Sequence, residues 1–125
     1  MKKIILAMLF TCILNAHEDH DHNPHSAQPL HGGVVKMGKQ INLEVIINGS
    51  SVSLFPQSSQ GKDLPLKEVK VEAMAKPRKE KPYPVKFVGD TELKAIVNLK
   101  GAHRLEIEIV ITHKNSKEKF IIQVE

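Results

Sequence analysis

The stretch INLEVIINGSSVSLF, residues 41–55, decides the fold. Ile41, Leu43, Val45 and Ile47 alternate with Asn42, Glu44 and Asn48, the period of two that puts one row of a strand on a core and the other on solvent. Asn48-Gly49 then supplies a tight-turn signal, and residues 51–55 return as the hairpin partner. Pro56, which cannot donate a ladder hydrogen bond, ends that strand in this reading.

The same alternation recurs downstream. Residues 68–75 place Val69, Val71 and Ala73 on one face. Residues 76–84, KPRKEKPYP, carry three prolines among charges and read as an exposed connection. Residues 85–88 read as a short strand, and residues 92–99 align Leu93, Ala95, Val97 and Leu99. Residues 100–103, with Gly101, suit a hairpin into residues 104–112, where Leu105, Ile107, Ile109 and Ile111 oppose Glu106 and Glu108. Phe120, Ile122 and Val124 close the chain as a last alternating edge. No stretch has a helical period. Six to eight short strands without crossover helices predict an all-β fold, a single antiparallel β-sandwich, Ig-like or small and barrel-like. Its core is aliphatic, with Phe55, Phe87 and Phe120 as the large fillers and Met74 packed inside.

Ahead of the sandwich, residues 1–16 read as a secretory signal peptide, with Lys2 and Lys3 at the positive end and residues 4–14 as an apolar run too short to span a bilayer stably. Cleavage after Ala16 makes His17 the new N-terminus and places the protein in the periplasm. A rival reading lipidates Cys12, although Phe10 and Thr11 fit a lipobox badly. Removing the 16-residue leader from 125 residues leaves 109, one domain by length, and removes the only cysteine, so disulfides and thiolate metal sites are excluded. The exported part has 16 basic against 14 acidic residues and no tryptophan, which gives nucleic-acid binding no support. No later segment resembles a membrane span.

Residues 17–33, HEDHDHNPHSAQPLHGG, hold five of the seven histidines. Through residue 30 this stretch has almost no large apolar side chain, so it cannot bury enough surface to offset ordering entropy, and a disordered tail is expected over residues 17–30 ahead of a domain over 31–125. His17, His20, His22 and His25 are spaced too irregularly for a structural zinc finger and suit a flexible chelator. Any three can close round one ion, at an ordering cost of about 1 to 2 kcal/mol per residue. Imidazole suits copper, nickel and zinc, and such a site intrinsically favours Cu(II). If His17 is the N-terminus, its α-amine and ring can chelate together. The bland alternative is a solvated polar tail.

At the boundary of tail and sandwich, His31 is the ligand held most rigidly in this reading, and Gly32 and Gly33 permit positive φ or a close backbone approach. A simple hinge is the competing reading. Met37, in a polar stretch, offers a soft thioether for Cu(I). His103 and His113 read as surface histidines. There is no phosphate loop, nucleophile elbow or acid-base pair, so catalysis has no positive support and the chain is not expected to be an enzyme.

The segment HGGVVKMGKQINLEVIINGSSVSLFP with the following GKDLPLKEVKVEA resembles the β-domain of periplasmic adaptor subunits of heavy-metal efflux pumps. The shared elements are His31-Gly32-Gly33, the alternating strand over 40–48, and Gly61-Lys62-Asp63-Leu64-Pro65. In length, export signal and His-rich start the chain is similar to the small stand-alone copper-resistance determinant A proteins. The resemblance implies a periplasmic copper-resistance function, with copper captured and passed to an efflux pump adaptor or outer-membrane component. It carries only His31 across as a motif position. The coiled-coil hairpin and lipoyl-like parts of full adaptors are absent, which implies an accessory. Against copper capture stand a metal-independent interaction module, a nickel- or zinc-binding protein, and a copper enzyme built on an N-terminal His17.

Overall fold

A computed structural model describes residues 28–125. The leader, Cys12, His17, His20, His22 and His25 lie outside the described residues. Eight strands follow in order: β1 (Val34–Lys36), β2 (Ile41–Asn48), β3 (Ser51–Ser58), β4 (Val69–Lys76), β5 (Tyr83–Val85), β6 (Leu93–Ile96), β7 (Leu105–His113) and β8 (Ser116–Val124). They form two antiparallel four-stranded sheets, ordered β1-β2-β3-β6 and β5-β4-β7-β8. The only helical piece among the described residues is a single 3-10 turn, Leu66–Glu68. No helix among them is long and apolar enough to cross a membrane.

The expected alternation builds the core. Ile41, Leu43 and Val45 from β2 and Val52 and Leu54 from β3 meet Ala73, Ala75, Leu105, Ile107, Ile109, Ile111, Ile122 and Val124 of the second sheet in one cluster. Phe87 and Phe120 are buried in it. Two of the expected fillers are elsewhere. Phe55 pairs with Glu44 across β2 and β3 and therefore lies on the outer face, one residue out of phase with Leu54. Met74, between the inward Ala73 and Ala75, is likewise turned outward and exposed.

Strand ends differ from expectation for local reasons. β3 runs through Pro56 to Ser58. Pro56 opposes Leu43, and its carbonyl accepts from the Leu64 amide on the other side of the strand. Its missing N–H therefore faces away from β2, where no ladder bond is lost. The strand expected at 85–88 lies earlier, at Tyr83–Val85, with Pro84 on a sheet edge where it is tolerated, and Val88 makes only an isolated bridge to Lys94. Residues 97–104 do not close a hairpin: β6 pairs with β3 in the first sheet, whereas β7 pairs with β4 and β8 in the second, so this link crosses between sheets. β1, not expected from sequence, pairs with β2 along the edge of the first sheet.

Candidate metal centre at the N-terminal strap

Residues 28–33 cross the outer face of β3 and β2 before turning into β1. The crossing begins where Gln57 Nε2 donates to the Gln28 carbonyl at 3.3 Å. It ends where Gly33 meets β2 so closely that a Cβ there would lie 2.5 Å from the Val45 carbonyl oxygen and 2.7 Å from Ile46 Cγ1. Gly32 has φ of +85°, a conformation other residues resist. Both readings of the glycine pair, positive φ and close approach, are realised, one at each residue.

Glu44 anchors this strap. Its side chain is fully buried, and its carboxylate accepts from the amides of Leu30 at 2.9 Å, His31 at 2.9 Å and Gly33 at 2.7 Å. Three main-chain donors converging on one anion form a nest whose occupant is a residue of the same chain. Burial pushes the Glu44 carboxyl up, but the bonds from Gly33, Leu30 and His31, joined by the charge of His31 when that ring is protonated, outweigh it and hold the group below the ordinary carboxylate value. Asn42 and Gln57, facing the same way, are buried as well. The polar row of β2 is thus the floor of a covered layer, where the alternating pattern by itself predicts a solvent face.

On this floor the His31 ring stacks nearly parallel on Phe55, centroids 3.8 Å apart and planes 12° from one another. Its Nε2 lies 2.8 Å from Asp63 Oδ2. Asp63 comes from the loop after β3, which folds back so that Asp63 bridges Gln57 and Leu64 N reaches the Pro56 carbonyl. The fold therefore joins His31-Gly32-Gly33 to Gly61-Lys62-Asp63-Leu64-Pro65, two motifs far apart in sequence. Both side chains of the pair are partly open, His31 at 32% and Asp63 at 47%.

Of the six candidate ligands, His17, His20, His22 and His25 lie outside the described residues, and His31 is the one the structure fixes. Met37 is exposed at the end of β1 and borders a separate small hollow with Gly38, Lys39, Asn42 and Ser59. No group of three or more His, Cys, Asp or Glu able to hold a metal occurs among the described residues. His31 offers one imidazole, with the Asp63 carboxylate hydrogen-bonded to its Nε2, so a complete coordination sphere needs ligands from beyond this pair. Sequence reading missed Glu44 and Phe55, taking them for a solvent-facing residue and a core filler, and gave Asp63 no role beside His31. The signal available was the glycine pair, which demands that something lie against the backbone.

Gln57 Oε1, on the same covered face, is buried without a hydrogen-bond partner among the described residues. His113 Nε2 pairs with Glu68 at 3.2 Å. The run KPRKEKPYP and the link containing the exposed His103 border an open hollow of about 830 Å³. Several of its cations have carboxylate neighbours: Lys76 with Glu108 at 3.3 Å, Lys100 with Glu80 at 3.8 Å and Arg104 with Glu125 at 3.9 Å. Compared with protein-family profiles, with curated proteins and with solved structures, the chain shows no significant match to any of them.

Proposed function

We propose that this chain is an exported copper-binding protein of copper tolerance, in which His17, His20, His22 and His25 capture the ion, His31 seats it, and a periplasmic efflux complex receives it. The observation that carries this reading is the placement of His31. Its backbone is fixed by Glu44 and its ring by Phe55 and Asp63, at the root of the His-rich segment. A ligand that is already fixed lowers the cost of capture, because each mobile ligand adds ordering cost. His25 stands three residues before Gln28, a reach of about 10 Å at full extension, and His17 eleven residues before it, about 38 Å. Every tail histidine is therefore tethered within reach of the strap. A donor set of imidazoles suits Cu(II) first, with nickel and zinc as competitors.

The test is a competition titration of the chain beginning at His17 with Cu(II), Cu(I), Ni(II) and Zn(II), beside a variant with His17, His20, His22, His25 and His31 changed to Ala. Copper binding at the tightest affinity, lost in the variant, is expected. Preference for nickel or zinc would reassign the cargo, and absence of binding would remove the proposal.

One observation favours a second reading, a metal-independent interaction module of an efflux system. The Leu30, His31 and Gly33 amides are taken up by Glu44, and Gly33 by its close approach to β2, without any ion. In that case deletion of residues 18–28 leaves copper tolerance intact, whereas copper capture requires its loss.

A further inference from the structure

We infer that copper binds His31 through Nδ1, with Asp63 as the positioning residue that keeps the ring proton on Nε2. This rests on the copper reading above and specifies how the fixed ligand works. A neutral imidazole has one ring nitrogen with a proton and one with a free lone pair, and only the second can coordinate a metal. Nε2 lies 2.8 Å from Asp63 Oδ2. A carboxylate only accepts, so the proton in that bond belongs to Nε2 and the lone pair is left on Nδ1. Among the described residues Nδ1 has no hydrogen-bond partner.

The same contacts fix the orientation. Stacking on Phe55 sets the plane of the ring but not which edge points where, since a half-turn about Cβ–Cγ leaves the ring on Phe55. That half-turn takes Nε2 away from Asp63, so the carboxylate selects one of the two orientations. Glu44 holds the backbone from which the ring hangs through the Leu30, His31 and Gly33 amides. A carboxylate behind the protonated nitrogen also raises the donor strength of the other one, and loss of such a partner typically costs about 10-fold to 100-fold in metal affinity. Asp63 is placed to do this because its loop folds back on β3 beside Gln57.

The alternative chemistry puts copper between Nε2 and Oδ2 in place of the proton, with Asp63 as a direct ligand. Asp63→Asn and Asp63→Ala separate the two, because asparagine keeps an acceptor for Nε2–H but loses the anionic oxygen. The expected results on the purified protein are an Nε2-protonated His31 tautomer in long-range proton–nitrogen NMR without metal, retained in Asp63→Asn and mixed in Asp63→Ala. Cu(II) affinity should fall at least about 10-fold in Asp63→Ala and by much less in Asp63→Asn. Equal losses in the two variants, an Nδ1-protonated tautomer, or Cu(II) binding indifferent to both substitutions would overturn the inference while leaving copper capture standing. A protein that binds no Cu(II) at all would instead overturn the copper reading, and this inference with it.

Discussion

Glu44 and Glu108 occupy equivalent places in the pattern, each a carboxylate on the outward row of an interior strand, yet they live in opposite environments. Glu108 is on the open face of the second sheet, where Lys76 at 3.3 Å and Lys119 at 3.4 Å draw its pKa down. Glu44 is buried under the strap, and its pKa is lowered against the cost of burial by main-chain amides. Solvent and salt compete for the first arrangement and are excluded from the second. The lesson is that an outward row becomes structural when a neighbouring segment brings backbone donors to it. A carboxylate inside such a layer organises whatever the segment carries, here His31.

The largest break in that comparison is Glu44→Ala. It leaves three strap amides without their acceptor, and we expect a stability loss of about 3 kcal/mol by denaturant unfolding. Fast hydrogen exchange at Leu30, His31 and Gly33 should accompany it, and unchanged protection at those amides would count against the nest. Next comes Gly33→Ala, whose methyl meets the Val45 carbonyl at 2.5 Å and should cost about 1 to 3 kcal/mol. Gly32→Ala, strained by φ of +85° but with nothing near its Cβ, should cost about 1 kcal/mol. Equal effects at the two glycines would show that conformation alone, not proximity, governs the strap.

Acid should separate the two carboxylates more finely. The folded Glu44 has a pKa below its ordinary value, so the unfolded chain takes up its proton first. Its contribution is full above that ordinary value and disappears as pH falls through the folded pKa. Unfolding midpoints measured from neutrality into this acid range should therefore fall less steeply in Glu44→Ala than in the parent. The smallest effect belongs to Glu108→Gln, which should produce no change in the midpoint that survives added salt. A salt-resistant loss there would mean that the open face is less solvated than its exposure implies.

The core was legible in the sequence because alternation reports which residues share a face. Ile107, Ile109 and Ile111 are buried as their spacing predicts. Alternation does not report what covers the opposite face, and so Asn42 and Glu44 read as solvent-facing and Phe55 as core. Nor does it report pairing partners. The glycine-containing turn after β6 suited a hairpin, but β3 and β4 supplied the actual neighbours of β6 and β7. Pro56 looked like a stop because the side of the strand that its missing N–H faces is a property of register. His31 stands out in the sequence by its motif, whereas Asp63 is 32 residues away in a loop and becomes its neighbour only through the fold-back onto β3.

The most direct test of the account is a Cu(II) competition titration of His31→Ala beside His103→Ala, one loss at the imidazole under the strap and one at an exposed imidazole. If His31 is the seat of a captured ion, His31→Ala loses about 10-fold or more in affinity and His103→Ala loses none. Equal affinities in the two variants would contradict it, leaving the strap a structural element with no part in holding metal.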